Sequence, residues 1–197
     1  MPCDETLGTS AFQPAQTQLT IGELVERRRV AGKPAEWLGC FERVQAWGDI
    51  SILTKPLLAL FCSTACPGRV LLRAMDQARA LREAGRTVIG GFHSAVEREC
   101  LTVLLRGSQP VVICPARSLD GMRVPGEWRK PLEEGRLLVL SPFGAEQRRV
   151  TAALAAERNR FVLALADEVW FAHVAAGGET ERLARLAADW GKGQGPP

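Results

Sequence analysis

The sequence predicts a doubly wound α/β fold, a parallel sheet of at least five strands with helices on both faces. Two observations carry that expectation. Short runs of almost wholly apolar residues, four to six long, read as strands buried on both sides. Between them lie longer segments whose apolar residues recur at helical spacing, and strand and helix alternate along the chain.

Taken in order, Leu57–Cys62 (LLALFC) is the first such strand. A helix from about Gly68 to Ala84 follows, with Leu71, Met75, Ala78 and Leu81 as its core face and Gly85 as its stop. Thr87–Ile89 is the second strand, and the next helix turns Val96, Cys100, Val103 and Leu104 inward before Gly107. Pro110–Cys114 and Leu137–Leu140 are the third and fourth strands, and Glu168–Ala172 is the fifth. A long helix from about Glu146 to Leu165 separates the last two, with Val150, Leu154, Phe161 and Leu165 on one face. A final helix spans Thr180–Asp189.

Residues 1–43 read as an N-terminal arm, loose over 1–19, with a short helix at 20–31. Thr20 with Glu23 three positions on has the capping-box pattern, and the Arg27–Arg29 run reads as a solvated helix face. Residues 44–190 form the domain, and 191–197 form a flexible Gly/Pro tail.

Composition narrows the function classes. The chain has 197 residues, a net charge of +3, 46% hydrophobic and 24% charged residues, which suits one folded domain and excludes a disordered chain. No apolar run is long enough to span a bilayer, and the first 20 residues lack a basic region followed by an apolar one. Cysteines at 3, 40, 62, 66, 100 and 114 are scattered rather than framed. A cytoplasmic location and no membrane partner are therefore expected. A weakly basic chain permits an anionic ligand without announcing nucleic acid.

In a doubly wound sheet the ligand crevice lies beyond the carboxyl ends of the strands. Cys62–Gly68, Gly90–Ser94, Pro115–Arg117, Ser141–Gly144 and His173–Thr180 fall there, rich in Gly, Ser and Thr. Glycine admits close backbone approach, hydroxyls donate to phosphate oxygens, and helix N-termini present free N–H groups. Gly177-Gly178-x-Thr180 is a candidate anion cradle or a plain turn with an N-cap. Neither G-x-G-x-x-G nor the P-loop pattern occurs, against a dinucleotide oxidoreductase or P-loop nucleotidase. Cys62-x-x-x-Cys66 with Cys114, His93 and His173 lacks the paired spacing of a metal site, so no metal is expected. Cys66 is a candidate reactive thiol at a helix start, and Cys100 and Cys114 read as small core residues. His93 and His173 fall at strand-end loops, as ligand contacts or structural hydrogen-bonders. Arg158-Asn159-Arg160 reads either as a phosphate clamp or as a solvated helix surface.

The order of landmarks resembles the DNA-processing protein A (DprA/Smf) family, within the SLOG-type nucleotide-binding superfamily, over about 44–186. Its Rossmann-like core is matched by Val44–Leu53 ahead of the first strand, Leu57–Ser63, Val88–Leu105, Gly135–Phe143, Arg158–Ala166 (RNRFVLALA) and Gly177–Thr180. Thr64 stands where the family has its first-loop Arg, Cys62 where it has Gly, and Ala95-Val96-Glu97 where it has Gly-Ile-Asp. The resemblance implies binding of a nucleotide or single-stranded DNA, in DNA processing, without a cofactor. The implied contacts are Ser63, Thr64, Gly68, Gly90, Gly91, His93, Ser94, Arg158, Asn159, Gly177, Gly178 and Thr180. It also implies a homodimer, with some of the tryptophans at 37, 47, 128, 170 and 190 exposed at an interface. A distant likeness to the LOG phosphoribohydrolases leaves a nucleotide-hydrolysing alternative, with Glu97, Glu179 or Glu181 as acid/base. An interaction scaffold with a vestigial pocket is the third reading.

Overall fold

A computed structural model describes residues 12–195. The strands are β1 (Gln16–Thr20), β2 (Arg43–Gly48), β3 (Leu57–Cys62), β4 (Thr87–Gly90), β5 (Val111–Ile113), β6 (Leu137–Ser141), β7 (Glu168–His173) and β8 (Gly193–Gln194). They form one sheet in the order β1-β2-β6-β5-β4-β3-β7-β8. From β6 to β8 every pairing is parallel, while β2 runs antiparallel to both β1 and β6. The helices are α1 (Ile21–Arg28), α2 (Lys33–Leu38), α3 (Gly68–Glu83), α4 (Ala95–Leu105), α5 (Gly126–Glu133), α6 (Ala152–Leu165) and α7 (Glu179–Asp189), with a 3-10 turn at Ile50–Thr54. The α/β expectation holds: a largely parallel sheet lies between two helical layers.

Every residue of β3 is buried, and its side chains alternate between two cores. Leu57, Ala59 and Phe61 join Leu24 of α1, Leu38 of α2, Phe161 of α6 and Leu183 of α7 on one face. Leu58, Leu60 and Cys62 join Ala78 of α3, Cys100 of α4 and Leu132 of α5 on the other. Strands β3 to β6 are laid down in one direction, and β7 then returns to the opposite side of β3. That reversal makes the β3–β7 boundary the topological switch point.

Several expectations need correction. Of the expected 1–43 arm, residues 1–11 lie outside the described residues; within the rest, β1 (16–20) is a sheet strand rather than loose chain, and α1 and α2 bury Leu24 and Leu38 completely. The residues of β1, QTQLT, bury only Leu19, so no apolar alternation marks it, as befits a polar edge strand. The 20–31 helix is present with its capping box, both Thr20 and Glu23 engaged. Arg28, however, is not solvated. Its guanidinium donates to the carbonyls of Leu53, Lys55 and Leu165 and to Asp167 Oδ2, at 2.7–3.1 Å. Helix α6 begins at Ala152 rather than Glu146, because Thr151 Oγ1 caps it by accepting from the Leu154 N–H; Val150 lies outside and is exposed. In α3 the buried stripe is Ala74, Ala78 and Leu81, with Leu71 and Met75 only half-buried. Within the tail, Gly193–Gln194 add a short parallel strand. No tryptophan is exposed: Trp47 and Trp170 are buried and Trp37, Trp128 and Trp190 are half-buried. No helix among the described residues is long and apolar enough to cross a membrane.

Neighbouring arginines separate these roles experimentally. Arg28→Ala strands several buried carbonyls and is expected to cost about 2–4 kcal/mol in urea unfolding. The exposed neighbour gives the contrast, since Arg27→Ala should stay within about 0.5 kcal/mol of the unaltered chain.

Candidate nucleic-acid interface

The carboxyl ends of β3, β4, β5 and β7 are laced together by buried polar groups. Beside the switch point, the Ser63 N–H donates to the His173 carbonyl (3.0 Å), and Ser63 Oγ accepts from the Ala175 N–H (2.8 Å). The β3–β7 register shifts between Phe61 and Cys62, which turns the chain out of the sheet here. One residue on, the Cys62 N–H donates to Glu97 Oε1 (2.8 Å). Glu97 Oε2 accepts from the N–H groups of His93 (2.7 Å) and Ser94 (3.1 Å), and Ser94 Oγ accepts from the Glu97 N–H. This is a buried capping box at the start of α4 that also fixes the end of β3.

Arg158 completes the floor. It is only 3% exposed, and its Nη1 donates to the Cys114 carbonyl (2.8 Å) while Nε donates to Asn159 Oδ1 (2.9 Å). Its guanidinium lies against Gly91, where any Cβ would overlap Nη1 and Cζ. Gly91 is thus a glycine because an arginine crosses it. The next residue, Phe92, is held at φ +48° with its ring buried, a left-handed conformation that a bulky residue rarely adopts. Burial pulls the Arg158 pKa downward, and the nearby Glu97 carboxylate opposes that. Within the described residues Nη2 has no acceptor, yet it is not sealed from solvent.

The helix starts differ in what they offer an anion. That of α4 is occupied by Ser94 and Glu97. At α7 the expected cradle is already filled: Gly177, at φ +71°, donates its N–H to Glu181 Oε2 (2.9 Å), and Glu181 also pairs with Arg185. The Gly177 hydrogen bond, then Arg185, hold the Glu181 carboxyl below its ordinary pKa. Glu179 pairs with Arg182, so the first turn of α7 carries two carboxylates beside Gly178 and Thr180. Helix α3 is the contrast. Its N-cap, Pro67, makes no side-chain bond, its first turn has no acidic residue, and Arg69 is exposed on it. Thr64 is exposed in the loop before it, and at Gly68 a Cβ would meet nothing within 4 Å.

The expected residues thus fall into three groups. Ser63, Gly90, Gly91, Ser94, Arg158 and Asn159 form or line the laced floor, with the His93 N–H joined to it through Glu97. Thr64 and Gly68 are open on the rim, with the exposed His93 side chain. Gly177, Gly178 and Thr180 sit beside a self-supplied carboxylate. Sequence reasoning missed Glu97 as a structural hub, although Ser94-x-x-Glu97 is itself a capping-box signature. None of the expected binding residues lines the cavities of about 570, 310 or 840 Å³ found elsewhere.

Three cysteines behave as core, while Cys66 is half-buried and Cys40 exposed. Desolvation pushes the Cys62, Cys100 and Cys114 thiols up to about 12. Among the described residues no cluster of His, Cys, Asp and Glu is arranged to hold a metal.

No family model and no curated protein matches the sequence. Two solved structures share the fold. DNA processing protein A (DprA) from Streptococcus pneumoniae superposes with a TM-score of 0.69 at 15% identity, over 89% of this chain and 60% of that one. DNA processing protein A from Helicobacter pylori, described in terms of its single-stranded DNA binding mode, gives 0.63 at 21% identity, over 76% and 69%. The fold is that of a DprA-like Rossmann domain, and the chain spans about 60% of the pneumococcal protein.

Two outcomes check this geometry. Glu97→Gln places an amide NH2 against backbone donors and should lower stability by about 1–3 kcal/mol in denaturant unfolding. At pH 8 a thiol reagent should modify exposed Cys40 rapidly and spare Cys62, Cys100 and Cys114 until the protein unfolds, as read by peptide mass mapping.

Proposed function

We propose that the chain binds single-stranded DNA, through its phosphates, along the carboxyl edge of the sheet beside the β3–β7 switch point, and does so without catalysis. The observation that carries this is Arg158, a buried guanidinium on the crevice floor whose Nη2 has no acceptor among the described residues. A phosphate oxygen there would complete its hydrogen bonding. Thr64 and the uncapped, Arg69-bearing start of α3 supply the rim. Gly91 brings bare backbone close to the same place. The likeness to a protein whose structure is described by its single-stranded DNA binding supports the same ligand. The cradle at 177–180 is left out of this track, because Glu179 and Glu181 repel an anion there.

The phosphoribohydrolase reading draws less support. Both oxygens of Glu97 accept backbone N–H groups, and Glu179 and Glu181 are paired with arginines. Incubation with nucleoside monophosphates should therefore release no free base. A shallow edge gains affinity when two copies engage one strand, so the proposal includes a homodimer, read by light scattering as twice 21.4 kDa.

Binding to oligothymidylate, followed by fluorescence anisotropy across a salt series, tests the reading. Each neutralised phosphate contributes roughly −0.7 to the log–log slope, so two or three contacts give about −1 to −2. Arg158→Ala should weaken binding more than Arg27→Ala, and Arg158→Lys, which keeps the charge, should retain the fold and lose part of the affinity. Duplex DNA should bind less well, since no recognition helix stands ready for a groove. Equal losses from Arg158→Ala and Arg27→Ala would overturn the assignment.

A further inference from the structure

The helical layer formed by α3, α4 and α5 leaves one part of its sheet face to be covered by other means. Helix α5 packs on β6 and β2. Beyond it the chain itself, residues 119–124 and Phe12–Pro14, walls a cavity of about 570 Å³ over Trp47. A recess of about 200 Å³ beside it is lined by Gln16, Gln18 and Gln45. The wall is fixed in place: Gln45 Oε1 accepts from the Leu119 N–H (2.8 Å) and from Ser118 Oγ (3.1 Å), and Ser118 is fully buried. The volume falls within the usual range for small-molecule sites, about 300–1,000 Å³.

Its chemistry is lopsided. Arg123 and Arg129 are exposed on the lining and have neither an ion-pair nor a hydrogen-bond partner among the described residues. One carboxylate, Asp120, faces them, and it accepts only from Ser118 Oγ (3.2 Å). Half-buried Phe12 and Met122 supply aromatic and thioether surface, and Trp47, almost wholly buried, also lines the cavity. We propose that this cavity binds a ribonucleoside monophosphate. The two guanidinia take the phosphate, Asp120 accepts from the ribose hydroxyls, and the base lies against the aromatic wall with Gln16 at its edge. The site shares no residue with the carboxyl edge and stands independently of strand binding there.

Calorimetric titration of the whole chain with AMP, GMP, CMP and UMP tests it, with inorganic phosphate, adenosine and 2′-deoxy-AMP as comparators. At least one ribonucleotide should bind, deoxy-AMP more weakly than AMP if AMP is the ligand, and phosphate or nucleoside alone far less. The Arg123→Ala/Arg129→Ala double variant, altered only at exposed positions, should weaken nucleotide binding roughly tenfold or more, as expected for loss of two charge-assisted contacts. Its affinity for oligothymidylate should be unchanged. The proposal is overturned if no monophosphate binds or if inorganic phosphate binds as well as the nucleotide. It is also overturned if Arg158→Lys abolishes nucleotide binding while the double variant preserves it. Joint loss of nucleotide and oligothymidylate binding in the double variant would assign these arginines to the strand track and likewise overturn it.

Discussion

A buried pair of opposite charges, Glu97 and Arg158, holds the carboxyl edge of this sheet in one shape. Parallel strands end by releasing backbone groups that the ladder no longer satisfies, and in an apolar interior each such group needs a partner. Glu97 collects the N–H groups released by β3 and by the 91–94 loop. Arg158 collects the carbonyl released just past β5. The nearby Glu97 carboxylate offsets part of the cost of burying Arg158, and both groups are hydrogen-bonded. The Arg158 guanidinium leaves no room for a side chain at Gly91, and the next residue, Phe92, is left-handed.

Helix α6 carries that order across the molecule. Midway along it stands Arg158, and at its C-terminus two cations meet its last carbonyls. Arg28 from the N-terminal segment takes the Leu165 carbonyl, and Lys192 from the C-terminal segment takes those of Ala164 and Ala166. Positive charge is favourable at that end of a helix. Asp167, just beyond, accepts from Arg28 and from the Leu57 N–H, so the start of β3 is bound to the same knot. Buried polar chemistry thus fixes both the amino and the carboxyl edge of the sheet, with one helix joining the two.

What was legible in the sequence follows from these physics. The strands from β3 to β7 are apolar on both faces and declare themselves as continuous runs, and the Thr20–Glu23 capping box announces α1. Strand β1 carries one buried residue in five, and its pairing is specified by β2 rather than by its own pattern. Helix α5 hides because Pro131 sits inside it and only Pro131 and Leu132 are buried. At the site, residue types at the loop tips were legible but their partners were not. The Arg27–Arg29 run looks uniform in sequence, and only the fold shows that its middle member is buried. Glu97 reads as a free acid when its capping box with Ser94 is overlooked, and its third donor, the Cys62 N–H, lies 35 residues away and meets it only in three dimensions.

The same distinction decides which helix start invites an anion. A glycine pair before a helix is chemically an open cradle, yet at α7 the third helical residue is Glu181, whose carboxylate reaches back to Gly177 and satisfies the donor from within. At α4 the third residue, Glu97, does the same with more partners. At α3 the corresponding position is Val70, which has nothing to give. Among α3, α4 and α7, a single side chain at the third position separates the two that answer their own dipole from the one that leaves it open. Thr64 and Arg69 flank that open end, and neither carries negative charge. The start of α3 is therefore the one of the three with neither a side-chain cap nor an acidic residue in its first turn.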